Sequence, residues 1–226
     1  MHDYPPLLNE DTLLSRILYR DALLIVLNKP SGIAVHAAGP KRHNLEQYFD
    51  ALRFGLPKKP HLAHRLDRDT SGCLVLARNA FAARRMQELF TAGLVKKTYV
   101  AVTEGVVEKD KGSIDIPLER QSKESSNWRM KADINGSMPA KTDYEVLARH
   151  VHQTLLKLIP HTGRTHQLRV HCQALGHPIM GDVIYGTGDG KMPLHLHAHT
   201  IEIPLYKNKA PIIIEAPVPD YIAAWL

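Results

Sequence analysis

Short apolar runs separated by turn residues make up most of this chain. Runs such as 73–77, rich in Leu, Val and Ala, have the length and composition of buried strands. Predicted strands lie at 17–19, 23–28, 73–78, 96–102, 113–118, 139–146, 154–159, 194–203 and 211–217. The first two are predicted to form a hairpin, and the pair at 139–146 and 154–159 are predicted to be antiparallel neighbours.

Helical spacing of apolar residues occurs in fewer places. It appears at 45–52, and Asn79 is predicted to cap a helix that runs to about residue 92, where Gly93 stops it. A further helix is predicted near 165–172, and a short one at 219–226. Because hairpins outnumber strand–helix alternations, the pattern predicts an α+β fold with a mostly antiparallel sheet, not a doubly wound one.

Composition narrows the class of protein. The 226 residues suit one large domain or two small ones, and 29 Lys+Arg against 23 Asp+Glu give a formal charge of +6, which fits a phosphate-binding surface. Both cysteines, Cys73 and Cys172, lie in apolar runs and are expected to be buried free thiols. With no apolar run of membrane-spanning length and no signal peptide, we expect a cytoplasmic protein.

Three histidines alternate along one predicted strand, which raises the question of zinc. His195, His197 and His199 would share one face of that strand. No cysteine or carboxylate cluster with ligand spacing accompanies them, so no metal is expected.

The stretch at 64–72 reads HRLDRDTSG and leads directly into the apolar run 73–77. A carboxylate beside buried apolar surface must pair with cations or donors, or its pKa rises and it becomes neutral. A polar loop with solvated or mutually paired charges is the alternative interpretation.

This stretch resembles the motif of RluA-type pseudouridine synthases, which isomerise uridine within RNA. The resemblance implies that Asp67 is catalytic, that Arg65 enters the RNA stack where the target base leaves, and that His64 and Arg68 lie at the RNA. The string NKPSG at 28–32 resembles the opening motif of the family, which implies that Lys29 lies near the active site and the RNA.

Two further motifs of the family follow in order. Lys97-Thr98-Tyr99 resembles the second, whose tyrosine lies against the target base; a phenol can stack on a base and relay a proton. The third is matched at 162–171, TGRTHQLRVH, and implies that Arg169 pairs with the catalytic carboxylate and keeps it ionised. Arg164 is expected to contact phosphate, and 175–182 is predicted to be a helix end and turn without chemistry.

The resemblance covers about 17–217 and implies the pseudouridine synthase fold, a bent, mostly antiparallel mixed sheet with a few flanking helices and a central RNA-binding cleft. We expect an N-terminal extension at 1–16 and one catalytic domain at 17–226. With so few residues ahead of the first strand, an S4-type domain is expected to be absent, as in the compact RluA and TruC-like branch. A monomer is expected.

The implied reaction detaches uracil from C1′ at N1 and rejoins it through C5, without a cofactor, after the base is flipped out of the stack. The substrate would be rRNA, tRNA or both, not DNA, selected by loops at 37–60 and 119–138 that include Lys123 and Trp128. Whether Asp67 attacks C1′, attacks C6 or removes the 2′ proton stays open.

Two other functions are alternatives for this sequence. The string DTSG at 69–72 resembles the Asp-Thr-Gly of aspartic proteases, but the inserted serine breaks that turn and no second copy supplies the paired carboxylate. A catalytically inactive RNA-binding module of the same fold is the other alternative, which loss of a motif Asp, Tyr or Arg would have favoured.

Overall fold

The computed structural model describes residues 8–36, 43–121 and 129–226. Its strands are β1 (Ile17–Arg20), β2 (Leu24–Lys29), β3 (His61–Leu62), β4 (Ser71–Ala77), β5 (Lys96–Glu104), β6 (Lys111–Asp115), β7 (Leu118–Arg120), β8 (Met130–Ala132), β9 (Lys141–Arg149), β10 (Gln153–Pro160), β11 (Leu196–Ile203) and β12 (Ile212–Glu215). Its helices are α1 (Glu10–Leu14), α2 (Ala80–Thr91), α3 (Gln167–Ala174) and α4 (Asp220–Ala223), with a 3₁₀ helix at Leu45–Leu52. The predicted α+β class is confirmed.

The chain divides into two compact units. Unit 1 consists of Met1–Lys97 and Ala198–Pro217, and unit 2 of Thr98–His197 and Val218–Leu226. Most of β5 belongs to unit 2, and most of β11 belongs to unit 1. Part of the expected N-terminal extension is ordered as α1, whose Leu13 is only 1% exposed.

Unit 1 is built on the strand order β1-β2-β4-β11, with β3 paired to β4 and β12 to β11. Strand β2 pairs antiparallel with β4, and their register sets Lys29 opposite Gly72. All seven residues of β4 are buried, as its apolar run predicted. Helix α2 begins after Asn79, whose side chain accepts a hydrogen bond from the Ala82 N–H as predicted.

Unit 2 is built on the order β5-β10-β9-β6, and β7 and β8 form a separate two-stranded hairpin. Strands β9 and β10 pair antiparallel, as predicted. Helix α3 buries Leu168 and Cys172 in a core with apolar residues of β5, β6, β9 and β10. His171 fixes α3 further, because its ring is hydrogen-bonded to Thr142 and to the Ile116 carbonyl.

The two cysteines are free and buried, as predicted. Burial raises the pKa of the Cys73 and Cys172 thiols to about 12, so both stay protonated at neutral pH. Within the described ranges, no helix combines the length and the apolar character needed to cross a membrane.

Candidate active site

The loop before β4 carries Asp67 and lies beside the end of β2. This placement follows from the register of the two strands, which pairs Lys29 with Gly72. The loop is a tight turn, in which the Thr70 N–H donates to the Asp67 carbonyl at 3.2 Å. Leu66 is buried and the Asp67 side chain is half-buried, so the turn presents this carboxylate at the edge of the core.

Gly72 is required where the loop enters the strand. Its φ is +106°, and a Cβ at this position would lie 2.2 Å from the Ala198 carbonyl oxygen. No L side chain fits at that distance without moving the backbone of β11, so the glycine allows the end of the loop to lie against β11.

Lys29 supports the loop from inside the protein. It is 1% exposed, and its Nζ donates to the carbonyls of Pro30, Ile33 and Arg68 at 2.8, 2.9 and 2.8 Å. The Gly32 N–H also donates to the Arg68 carbonyl at 3.0 Å. The turn that follows β2 is thereby bound to the loop that holds Asp67.

This burial gives no support to a direct RNA contact of Lys29, because its ammonium group is enclosed and already donates to three carbonyls. Burial lowers the pKa of Lys29 to about 7, while the charges of Asp69 and Asp67 act in the opposite direction. Lys29 therefore acts as an internal support of the loop that carries Asp67.

His64 is likewise turned toward the protein. Its Nε2 accepts a hydrogen bond from the Val75 N–H of β4 at 3.0 Å, and its ring lies 5.1 Å from the ring of Phe90. Burial lowers the pKa of His64 to about 4, and the charge of Lys97 acts in the same direction. The uncharged ring therefore helps to fix the loop on β4, and an RNA contact of the half-buried His64 stays a prediction.

The two arginines of the loop are exposed. Arg65 is exposed beside the turn, which leaves it accessible to a large ligand. Arg68 donates two hydrogen bonds to Asp69, at 3.0 and 3.1 Å, while 64% of its side chain stays exposed. Their predicted roles at RNA are compatible with these positions.

In unit 2, the third motif forms the entrance of α3. His166 precedes the helix in the left-handed region, at φ +56°, which is uncommon for a residue with a side chain. The Gln167 carboxamide organises the turn, accepting from the Thr162 hydroxyl and the Arg164 N–H. Arg164 is exposed and donates from Nε to the Pro139 carbonyl, so the entrance presents a cation at the surface.

Arg169 forms a buried ion pair with Asp182. Its Nε and one terminal nitrogen each donate to a carboxylate oxygen at 2.7 Å, with side-chain exposures of 4% and 0%. Burial alone would raise the pKa of Asp182, but the hydrogen bonds and charge of Arg169 and the N–H groups of Tyr185 and Ile184 lower it overall. The carboxylate therefore stays ionised and holds the guanidinium in one orientation.

This pairing was missed by the sequence interpretation, which gave 175–182 no chemistry. The signal was present, since Asp182 is a lone carboxylate among apolar residues, which is the argument that singled out 64–72. Gly181 makes the turn, because its φ is +77° and a Cβ there would lie 2.3 Å from the Pro193 carbonyl.

Tyr99 is half-buried on β5, opposite Leu158 of β10. It packs against the core of unit 2, so its position is set by the sheet rather than by a loop.

Among the predicted catalytic residues, Tyr99 and Arg169 belong to unit 2 and Asp67 to unit 1. The pairing of Arg169 with Asp67 stays a prediction, and Lys123 and Trp128 lie outside the described residues.

The histidines of the predicted strand make separate local contacts. His195 is hydrogen-bonded to the Pro193 carbonyl at 2.9 Å, and His199 to the Ala216 carbonyl at 3.0 Å. In the part of the chain that the structure describes, no group of three or more His, Cys, Asp or Glu residues could hold a metal ion.

Comparison with known proteins assigns the chain to a family. Residues 23–174 match the model of the RNA pseudouridylate synthases. An uncharacterised RNA pseudouridine synthase of Zymomonas mobilis is 46% identical over 92% of this chain and 95% of its own length. Ribosomal large subunit pseudouridine synthase C of Buchnera aphidicola is 36% identical over 94% of this chain and 70% of its length. The dual-specificity RNA pseudouridine synthase RluA of Vibrio vulnificus is 36% identical, covering 87% and 79%.

Solved structures agree with this assignment. Human RNA pseudouridylate synthase domain containing 4 is 29% identical, with a TM-score of 0.79 over 95% of this chain and 92% of that chain. Human RNA pseudouridylate synthase domain containing 1 is 30% identical, with a TM-score of 0.78 over 97% and 90%. The predicted pseudouridine synthase fold is confirmed. The chain therefore belongs to the RluA family of RNA pseudouridine synthases, isomerases that act on RNA.

Proposed function

We propose that this enzyme isomerises specific uridines in rRNA, tRNA or both, with Asp67 acting at the ribose of a flipped-out nucleotide. Asp67 is the attacking group or base, Arg169 keeps it ionised, Tyr99 lies against the uracil and Arg65 fills the vacated stack. The N1–C1′ bond breaks, the C5–C1′ bond forms, and the proton lost from C5 is balanced by one gained at N1. We also propose that the enzyme is cytoplasmic and monomeric and that DNA is not its substrate.

The observation that carries the proposal is the setting of Asp67. Its half-buried carboxylate lies in a turn that is fixed by the Lys29 hydrogen bond to the Arg68 carbonyl and by the close packing of Gly72 on Ala198. The family to which the chain belongs performs this isomerisation. Such fixed positioning is what a reacting group needs, because orientation removes much of the entropic barrier. The names of two relatives, a large-subunit rRNA enzyme and a dual-specificity RNA enzyme, support rRNA and tRNA as substrates.

The catalytic role is tested by substituting Asp67 with Asn and with Ala. We expect the release of tritium from RNA containing [5-³H]uridine to fall roughly a thousandfold or more, because no other group takes over the reaction. Asp69→Asn is the matched control, since this carboxylate lies two residues away and pairs with Arg68; it should retain activity within about tenfold. A wild-type rate for either Asp67 variant would refute the assignment, and RNA binding by the wild type without product would support the inactive binding module instead.

The substrate is identified by mapping pseudouridines in RNA from cells with and without the gene. We expect the deletion to remove modification at discrete positions in large-subunit rRNA, in tRNA or in both. Loss from only one RNA class would narrow the proposal to it, and an unchanged map in both would exclude these substrates.

A further inference from the structure

Tyr185 contacts β8 and two residues at the start of α3. Its hydroxyl accepts a hydrogen bond from the Met130 N–H of β8 at 2.9 Å and is hydrogen-bonded to His166 Nδ1 at 2.8 Å. The Cζ atom of Arg169 lies 5.1 Å from the centre of its ring, within range of a cation–π interaction. The residue is 6% exposed, so these contacts occur inside the protein.

The turn that carries Tyr185 is the one that holds Arg169. The Asp182 carboxylate accepts from the N–H groups of Ile184 and Tyr185, at 2.9 and 3.0 Å, while it binds the Arg169 guanidinium. The ring of Tyr185 is thus fixed at its backbone end by Asp182 and at its hydroxyl end by β8 and His166. Because both ends of Tyr185 are fixed, its ring is held in one position next to the Arg169 guanidinium.

The other end of this connection is the β7–β8 hairpin. Leu118 and Met130 of the hairpin pack with Val170 of α3 and with Tyr185 in one buried cluster. Outside that cluster the hairpin presents Arg120 and Arg129 as exposed cations. It belongs to the 119–138 segment that the sequence predicts to contact RNA.

We propose that Tyr185 is a positioning residue that couples the β7–β8 hairpin to the guanidinium of Arg169. A shift of the hairpin on binding RNA would pass through the Met130 N–H to the Tyr185 hydroxyl, and through the ring to Arg169. The coupling makes the placement of Arg169 depend on where RNA sits on the hairpin. For its catalytic consequence, the inference rests on the proposed function.

Tyr185→Phe tests the coupling, because it keeps the ring and removes only the hydroxyl. The matched control is Tyr206→Phe in unit 1, which also loses a side-chain hydrogen bond, to Asp21 at 3.0 Å. In ¹⁵N-labelled protein without RNA, the hydrogen-exchange rates of the Met130 amide and the Arg169 Nε–H are measured, the latter assigned by its absence in Arg169→Lys. We expect both rates to rise at least about tenfold in Tyr185→Phe and to stay unchanged in Tyr206→Phe.

Faster exchange at Met130 alone, with Arg169 Nε–H as in the wild type, would overturn the proposal, since the hydroxyl would then support only the hairpin. The reciprocal variant covers the case in which Tyr185→Phe does not fold. Coupling acts in both directions, so Arg169→Lys should speed exchange of the Met130 amide. An unchanged Met130 rate in that variant would also overturn it.

The catalytic consequence is measured in single turnovers at saturating RNA. Tyr185→Phe should lower the rate constant about tenfold while the RNA Kd changes less than about threefold, because the hydroxyl acts on placement and not on RNA contact. A rate equal to that of Tyr206→Phe would refute the catalytic effect. If the wild type forms no pseudouridine, the proposed function fails, and the exchange rates still decide the coupling.

Discussion

Buried charges at Lys29 and Arg169 are stabilised in different ways. Arg169 faces a carboxylate that neutralises it, and donates to it from Nε and from one terminal nitrogen, each at 2.7 Å. Lys29 faces three neutral carbonyls, and the carboxylates of Asp67 and Asp69 influence it only through space. The arginine is therefore held by a charged side chain, whereas the lysine holds backbone carbonyls.

Removing the ammonium group of Lys29 should be strongly destabilising. Lys29→Met leaves the carbonyls of Pro30, Ile33 and Arg68 without this donor, and we expect the free energy of unfolding to fall by about 3 kcal/mol or more. Urea denaturation measures the change. Lys96→Met is the control, since 72% of the Lys96 side chain is exposed, and a loss no larger than that of the control would contradict the internal role of Lys29.

The same residue should give the stability a distinctive pH dependence. The pKa of Lys29 is about 7 in the folded protein against 10.5 in the unfolded chain, so between these values the unfolded chain binds the extra proton. The free energy of unfolding should then rise with pH across this window, by up to about 1.4 kcal/mol per pH unit from this group. Lys29→Gln should lack that rise in denaturation curves at pH 7 and 9.5; identical slopes would refute it.

At the scale of elements, the loop that carries Asp67 depends on how closely β4 and β11 approach each other. Strand β4 is buried along its whole length, and its Gly72 lies against the Ala198 carbonyl of β11. Asp67 is five positions before this contact, in a turn that β4 anchors. A change in the spacing of β4 and β11 would therefore displace the Asp67 carboxylate.

Gly72→Ala and Gly55→Ala separate backbone strain from steric overlap. Both glycines have positive φ, +106° and +83°, but a Cβ at Gly55 meets no atom within 4 Å. We expect Gly55→Ala to cost about 1 kcal/mol and Gly72→Ala more than about 3 kcal/mol, measured by urea denaturation. Equal losses would mean that β11 moves away at little cost.

At the scale of the whole molecule, the net charge of +6 favours binding to a polyanion. This term does not depend on RNA sequence and weakens as salt rises, because bound phosphates release counterions. Selection of one uridine must then come from shape and specific contacts.

Arg164 is expected to supply one phosphate contact of this kind. Arg164→Ala should weaken RNA binding and reduce the slope of log K against log salt concentration by about one, measured by titration at several salt concentrations. Arg85→Ala on α2 is the control and should keep the wild-type slope, since Arg85 pairs with Glu88 on its own helix. A wild-type slope for Arg164→Ala would exclude the contact.

Several features were predictable from the sequence because they depend on neighbours along the chain. The apolar run of β4, the capped helix α2, the pairing of β9 with β10 and the buried cysteines all appear as predicted. The motifs also indicated the family and its fold, since they are short sequence patterns that occur in the order typical of the family. Residue patterns of this kind encode burial and turns directly.

The direction of individual side chains was decided only by the tertiary structure. Lys29 and His64 point inward, and Arg169 meets Asp182 thirteen positions away, because strand register and a glycine turn bring these groups together. A sequence shows that a charge must find a partner when it is buried, but not which charge is buried. That choice depends on packing between segments distant in the chain, which no local pattern contains.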